Sequence, residues 1–464
     1  MPQVSNQQAT VDTTVPSPVQ AGNARVSRSL GRHSEPGGFA CGLFCLFTVS
    51  YLLHFGARLP VLGSIRFDLL VAGVAFTSMV MSGALKRAMK RMDPTVKWIG
   101  FLLVYIVVTL PFVEWPGSVL RQGLEPFIKS LCFFFFVMGT VTTEGRLKTF
   151  IAVFLSCQVF RVLEPLYLHI FQGYWGSTTD MGTAGSVEFM SRLSGAPYDV
   201  INPNGLAQVI LIAMSMLYCL LWPGKAIAKV SFLALCAVLT YALLLSGSRS
   251  GFLVFVMLIG YIVWHSRFRI VALMTAVLAA VIAMGSLSDL QKDRYLSIYS
   301  KDAKGAATAQ GRIEGVIADF GVALERPLFG HGLGTSTEAI VHSRGLEQIS
   351  HNLFTEVAQE LGFVGLAIFM GFILAAIRNC LLVVKAARSA RASPIPFMSR
   401  VSEALLVLMI VNLVFSFASY GLSEYEWYLM SGLSVVIVRL SGVEGIPNSG
   451  SAKQRRTAVR QAPA

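Results

Sequence analysis

Two apolar runs, VSFLALCAVLTYALLLS at 230–246 and GFLVFVMLIGYIVWHS at 251–266, stand on either side of the break Gly247-Ser248-Arg249-Ser250. Each run approaches the length of about 20 residues that carries a helix across the hydrocarbon core of a bilayer. A helix closes its own backbone hydrogen bonds, which a solvent without water demands. The pair therefore predicts two membrane helices joined by a tight polar turn.

Working outward, the same reading gives about twelve spans, at roughly 38–56, 67–84, 97–114, 127–142, 149–170, 204–222, 230–246, 251–266, 269–287, 362–382, 401–420 and 427–440. The composition agrees. Of 464 residues, 54% are hydrophobic and only 14% charged, and the mean hydropathy is +0.63. Soluble chains carry about a quarter charged residues. A pair of soluble domains, a disordered tail protein and a secreted disulfide scaffold are excluded on these grounds. The predicted fold is an all-α polytopic integral membrane protein.

The net charge of +13 points to nucleic acid only if the basic residues line one face of a folded domain. They do not. Arg25, Arg28 and Arg32 precede the first span, and Lys86, Arg87, Lys90, Arg91 and Lys97 follow the second. Arg146 and Lys148, Lys225 and Lys229, Arg267 and Arg269, then Lys385, Arg388, Arg391 and Arg400 fall in every second loop, and Lys453, Arg455, Arg456 and Arg460 close the chain. The intervening loops hold few, among them Arg58, Arg121, Arg192 and Arg249. This is the positive-inside pattern with both termini cytoplasmic, so no nucleic-acid partner is expected. The domain plan is a polar, disordered tail at 1–37, spans at 38–287, one large outward loop at 288–361, further spans at 362–440 and a second disordered tail at 441–464. No cleavable signal peptide is visible in the polar N-terminal segment. The seven cysteines lie inside apolar runs and form no CxxC pair, which argues against structural zinc and redox chemistry.

Ionisable residues within spans are sparse. Asp68 with Arg66 and Arg161 with Glu164 are the main cases, and the second pair is spaced to neutralise itself on one helical face. Alternatively, Arg161 lines an outward-facing cavity. In the long loop, Ile313, Val316, Ile317, Phe320 and Leu324 recur at helical spacing, predicting an amphipathic helix on the membrane or on the bundle.

Three motifs face outward. Arg192-Leu193-Ser194-Gly195 is followed by Asn202-Pro203-Asn204-Gly205, where turn residues open a helix whose free N–H groups suit an anion. Ser246-Gly247-Ser248-Arg249-Ser250-Gly251 is no nucleophile elbow, because Arg249 stands where the serine nucleophile belongs. It offers a guanidinium fork, matched to phosphate oxygens, among hydroxyls and glycines; a snorkelling arginine is the structural alternative. The third motif is His351-Asn352, nine residues, Gly362, two residues, Gly365. Read as one helix N-capped by Ser350, it stacks the glycines beneath His351 for tight packing. His351 then sits in the first turn, where the helix dipole keeps imidazole neutral and able to act as a base. His331, His342 and His351 share the loop, but their spacing matches no metal-ligand motif, so neither metal nor cofactor is expected.

The His-Asn-x9-Gly-x2-Gly pattern resembles the signature of the O-antigen ligase family. The Ser-x-Ser-Arg turn, the Arg-Leu-Ser-Gly with Asn-Pro-Asn, and the stretch from Gly311-Arg312 to Pro327-Leu328-Phe329-Gly330-His331-Gly332 are similar to the wider ligase and polymerase superfamily. The resemblance implies a GT-C-like glycosyltransferase of the bacterial inner membrane with its active site facing the periplasm. Its donor would be a glycan on undecaprenyl diphosphate, and its acceptor a sugar of lipid A-core. The related alternatives are an O-antigen or exopolysaccharide polymerase and a protein O-oligosaccharyltransferase; a transporter or flippase of lipid-linked sugar is the competing class. Carried onto this sequence, the resemblance makes Arg249 and Arg192 the diphosphate residues, with Arg312, Arg161 and Asn204 beside them, and His351 the base of a metal-independent, inverting transfer. Phe133 to Phe136 read as lipid-contacting, with a groove for the polyprenyl tail as the alternative.

Overall fold

The computed structural model describes residues 38–90, 93–176, 192–199, 201–271, 273–274, 277–278, 285, 289–296, 306–345, 350–389, 396–419 and 421–443. The principal helices are α1 (Gly38–Leu52), α2 (Phe67–Met81), α3 (Pro94–Thr109), α4 (Leu124–Thr140), α5 (Glu144–Gln172), α6 (Pro203–Leu221) and α7 (Ala226–Ser246). They continue with α8 (Arg249–His265), α9 (Ala306–Glu325), α10 (Ser336–Arg344), α11 (Leu353–Ser389), α12 (Pro396–Phe415) and α13 (Tyr425–Ser441). No strand occurs among the described residues. Among the described residues, six helices are long and apolar enough to cross a membrane: Pro116–Thr140, α5, α6, α7, α11 and Phe397–Phe415. Shorter apolar helices are α1, α2, α3 and α8. The expected tails at 1–37 and beyond 443 lie outside the described residues, as does most of the expected span 269–287.

Two apolar cores organise the bundle. One joins α1 to α5 with α11 and α13 around Phe44, Phe133, Phe134, Phe136, Phe150, Phe369, Phe372 and Tyr428. The other centres on α6, with α7, α8 and α12 around it. Sequence reading put Phe133 to Phe136 against lipid or in a tail groove; instead Phe133, Phe134 and Phe136 are buried. Their rings meet Phe44, Phe47, Tyr51 and Phe372 edge-on or tilted, at centroid separations of 5.1 to 6.2 Å. Such contacts add to area burial, which favours an aromatic-rich run inside a bundle rather than against fluid acyl chains. The residues left for lipid lie elsewhere, for example Phe101, Val104, Val107 and Val108 along one face of α3.

The His-Asn-x9-Gly-x2-Gly motif is not one continuous helix. Asn352, not Ser350, caps α11, its Oδ1 accepting from the N–H of Phe354 at 2.9 Å and of Thr355 at 3.2 Å. His351 therefore stands just outside the helix rather than in its first turn. Further along, Gly362 adopts φ 67° and ψ 178°, a conformation essentially reserved for glycine, and the helix breaks. The break frees carbonyls, and the chain at 327–332 crosses it to bond them. His331 N donates to Gln359 O at 2.8 Å, Gly332 N to Glu360 O at 3.0 Å, and Tyr105 Oη to Leu361 O at 2.9 Å. In return Phe363 N donates to Pro327 O at 2.8 Å. The crossing is so close that a Cβ on Gly362 would stand 2.3 Å from Leu328 O, and one on Gly330 2.4 Å from Glu360 O.

Gly362→Ala should therefore lose about 1–3 kcal/mol to backbone strain alone, with the clash in addition. The expected result is a clear fall in thermal unfolding temperature in detergent. Gly260→Ala in α8, where a Cβ meets nothing within 4 Å, should leave that temperature unchanged.

Candidate functional site

Residues far apart in sequence meet at one end of the bundle. Gly247, with φ 56°, ends α7, and Ser248 begins α8 by accepting the Gly251 N–H on its Oγ at 3.1 Å. At the neighbouring helix start, Asn202 Oδ1 accepts from Asn204 N and Gly205 N at 3.0 and 2.9 Å. The two turns are tied together by the first motif. Leu193 N donates to Leu245 O at 2.9 Å, and the buried Arg192 donates from Nε to Ser246 O at 2.9 Å and from Nη2 to Asn204 Oδ1 at 3.1 Å. Ser248 Oγ adds a 2.9 Å bond to the same Asn204 oxygen. The Arg-Leu-Ser-Gly, Asn-Pro-Asn and Ser-x-Ser-Arg motifs are thus one structural unit. Arg249 opens α8 at its rim, half-buried, and Ser250 Oγ is buried beside it with no hydrogen-bond partner.

Arg161 belongs to a second layer. Its sequence partner, Glu164, pairs instead with both terminal nitrogens of Arg58, Nη1 at 2.6 Å. Arg58 also packs over the rings of Phe160 and Tyr198, at 5.8 and 5.5 Å. Arg161 turns to Asp199, seven positions beyond Arg192, and holds both carboxylate oxygens: Nε to Oδ2 at 2.6 Å and Nη2 to Oδ1 at 3.0 Å. Arg161 and Asp199 are both buried. A fork-to-fork geometry satisfies a guanidinium more fully than a single contact from an i, i+3 neighbour, which explains the exchange of partners. Asp199 also accepts from Ile201 N at 2.8 Å through its carbonyl, and its N–H bonds Ala196 O at 2.9 Å, so the ion pair anchors the whole 192–201 loop. His54, in the left-handed region with φ 52°, brings Nδ1 to 3.8 Å from Asp199 Oδ1. Neither Asp199 nor His54 carries a sequence motif.

His351 lies at the same end. Gln208, one turn beyond Asn204 on α6, donates to Asn412 Oδ1 at 2.8 Å. One turn beyond Asn412, the Ser416 carbonyl accepts from Leu353 N at 3.0 Å, two residues after His351. Glu356 secures the arrangement by accepting from Gly421 N at 2.7 Å and Leu422 N at 3.3 Å. From the other side comes α9, whose buried Asp319 contacts Arg344 Nη1 at 3.5 Å and lies within electrostatic reach of His351. Burial raises the Asp319 carboxyl above its ordinary range, opposed by hydrogen bonds from Ser350 and Gln359 and by the charges of Arg344 and His351.

Arg312 falls in α9, but its side chain lies outside the described residues. His331 and His342 go elsewhere, both against the Trp115 ring, at ring separations of 5.6 and 4.9 Å. Among the described residues, no group of three or more His, Cys, Asp or Glu is placed to hold a metal ion.

Residues 232–370 match the O-antigen ligase family model. Over these residues the chain is similar to the O-antigen ligase family. No curated protein matches the chain. The O-antigen ligase region holds the Ser-x-Ser-Arg turn, α8, α9, α10, His351 and the Gly362 break. Arg161, Arg192, Asp199 and Asn204, which brace that turn and its loop, lie outside it.

The Arg161–Asp199 pair supplies a stability test. Asp199→Asn leaves a buried guanidinium without its counter-charge and should destabilise the protein by about 3–5 kcal/mol. Replacing both residues, as Arg161→Met with Asp199→Leu, should recover much of that loss. Thermal unfolding of the two proteins in the same detergent measures the difference.

Proposed function

We propose that this protein is an O-antigen ligase, transferring a glycan from undecaprenyl diphosphate to a sugar of lipid A-core at the periplasmic face of the inner membrane. The observation that carries the reading is the meeting, at one end of the bundle, of the arginine unit (Arg192, Asn204, Arg249) with His351, two features joined within or against the O-antigen ligase region. The positive-inside charge pattern, read with both termini cytoplasmic, turns that end outward.

The chemistry needs two things. Breaking the bond from the anomeric carbon to phosphate leaves an electron pair on the diphosphate, and that growing negative charge needs fixed positive charge close by. Arg249, at the rim of the unit, is suited to bind it, with Arg192 and Asn204 behind; Arg312 is a further candidate on the sequence resemblance. Arg161 carries its own counter-ion and acts by holding the loop that bears Arg192. The acceptor hydroxyl must lose its proton as its oxygen bonds to the anomeric carbon, and the His351 ring nitrogen takes that proton. Attack opposite the departing diphosphate inverts the anomeric centre. A diphosphate leaves readily, so neither a covalent enzyme intermediate nor a resident metal enters the scheme.

Purified protein supplied with lipid-linked glycan and lipid A-core should produce glycan on lipid A-core by mass spectrometry. A longer lipid-linked chain would indicate a polymerase instead, and no transfer at all a transporter. His351→Ala should abolish transfer while the protein inserts normally. Arg249→Lys should lower kcat about 10–100-fold, because an ammonium retains the charge and loses the fork; unchanged rates in both variants would refute the assignment.

A further inference from the structure

Helix α9 places its residues against the usual pattern, in which a surface helix turns its apolar stripe to the core. Here the stripe is turned away from the bundle, with Ile317, Phe320 and Leu324 at 68, 46 and 54% exposure. The opposite face buries Val322 and Ala323 together with a carboxylate, Asp319, at 4% exposure. Hydrogen bonds fix this roll of the helix. The Asp319 carbonyl accepts from Gln359 Nε2 of α11 at 2.9 Å, and its carboxylate from Arg344 Nη1 of α10 at 3.5 Å. Turning the stripe inward would break both. From Ile317 to Leu324 the exposed residues are Ile317, Phe320, Gly321 and Leu324, so no side chain on that face offers water a hydrogen bond.

The stripe does not stand alone. Phe320 meets the ring of Phe363 at 5.7 Å, and Phe363 precedes the exposed Val364 on α11, a helix long and apolar enough to cross the membrane. Past the other end of α9, Leu328 and Phe329 are exposed, and Phe329 stacks on Phe112 at 5.4 Å. Phe112, itself exposed, lies just beyond Val108, where the apolar face of α3 ends. The apolar surface thus passes from the lipid-facing sides of α3 and α11 onto α9 through ring contacts. At its edge the character changes. Arg326 bonds Glu114 Oε2 from Nε at 3.0 Å and Phe112 O from Nη1 at 3.2 Å, and Trp115 stacks on His331 at 5.6 Å. Tryptophan and long basic side chains gather where hydrocarbon gives way to lipid headgroups.

We propose that α9 is an in-plane membrane helix, its Ile317, Phe320 and Leu324 side chains inserted among phospholipid acyl chains at the headgroup boundary beside α3 and α11. Helices of this kind bury their apolar face about 5–10 Å into that boundary. The polar side that such a helix ordinarily gives to water is taken here by α10 and α11. Bulk phospholipid is the occupant because the stripe extends surfaces that α3 and α11 already turn to lipid, and because the ion pair of Arg326 with Glu114 stands at its edge, level with headgroups. One helix is then held from both sides, by lipid on the stripe and by Gln359 and Arg344 on Asp319. This seating is independent of the transfer proposed above.

The test is photochemical crosslinking of the full-length protein in nanodiscs of phosphatidylethanolamine and phosphatidylglycerol, with photoreactive benzoylphenylalanine in place of Phe320. Irradiation should attach phospholipid to the peptide carrying the probe, read by mass spectrometry, in a yield matching that of the same probe in place of Phe101 on α3. Three results would overturn the proposal. Phospholipid on the Phe101 probe and none on the Phe320 probe means that the stripe faces water. A covalent dimer from the Phe320 probe means that a second copy of the chain covers it. Added lipid-linked glycan captured in place of phospholipid, rather than alongside it, means that the stripe belongs to a substrate groove. If the Phe320 variant fails to insert, the probe in place of Leu324 decides by the same outcomes.

Discussion

The carbonyls freed at Gly362 are the constraint on which the end of the bundle that carries His351 depends. A helix that breaks inside a packed bundle exposes acceptors that neither lipid nor neighbouring side chains can satisfy at random, and each one left unpaired is costly. Here the partners are His331 N, Gly332 N and Tyr105 Oη. Meeting that demand draws the 327–332 chain across α11 and brings α3 into contact with both. It also sets where α9, which runs directly into this crossing, lies against the start of α11. The position of the inner face of α9 against α11 is in this sense a consequence of where backbone hydrogen bonds had to be found.

A second ordering principle is electrostatic. The charged side chains at this end are sorted into pairs that are satisfied within the protein and a unit directed at its rim. Arg58 with Glu164 and Arg161 with Asp199 are of the first kind, and the fork geometry of both pairs keeps burial tolerable. Arg192 is intermediate. Two of its N–H groups are committed to Ser246 O and Asn204 Oδ1, so it binds two helix junctions to each other as well as bringing charge to them. Arg249, at the helix start beside this clasp, has a fixed platform under it. Preorganisation of this type is what gives a guanidinium its effect on a developing charge, because no reorientation is needed as the charge forms.

Much of this was legible in the sequence, and the exceptions have physical reasons. The run at 230–266 establishes helices separated by an arginine turn, and the structure keeps α7 and α8 in those places. The two arginine motifs were readable as polar turns, but that they form a single unit depends on tertiary hydrogen bonds between residues such as Arg192 and Ser246. Periodicity could not reveal the break at Gly362, since glycines inside an apolar pattern are equally compatible with close helix packing. Nor could it reveal the partner of Arg161, because Asp199 lies in a loop with no pattern of its own. Asp319 was hidden most effectively. On an amphipathic helix a charged residue opposite the apolar stripe reads as solvated, and only the inverted placement of α9 shows that this face is the inner one.

That inversion bears on how the site can be approached. With Ile317, Phe320 and Leu324 exposed, and the neighbouring Phe112 and Phe329 stacked at 5.4 Å and also exposed, α9 and the 327–332 crossing present apolar surface on their outer side and polar groups on their inner side. In the proposed reading the donor has the same two-sided character, an apolar polyprenyl chain attached to a charged diphosphate. A helix that offers hydrocarbon to one part of such a molecule while its opposite face packs against α11, which begins just after His351, would let both demands be met close together. The arginine unit then needs to supply charge alone, and its own side chains are accordingly tied to backbone and amide groups rather than to an apolar wall.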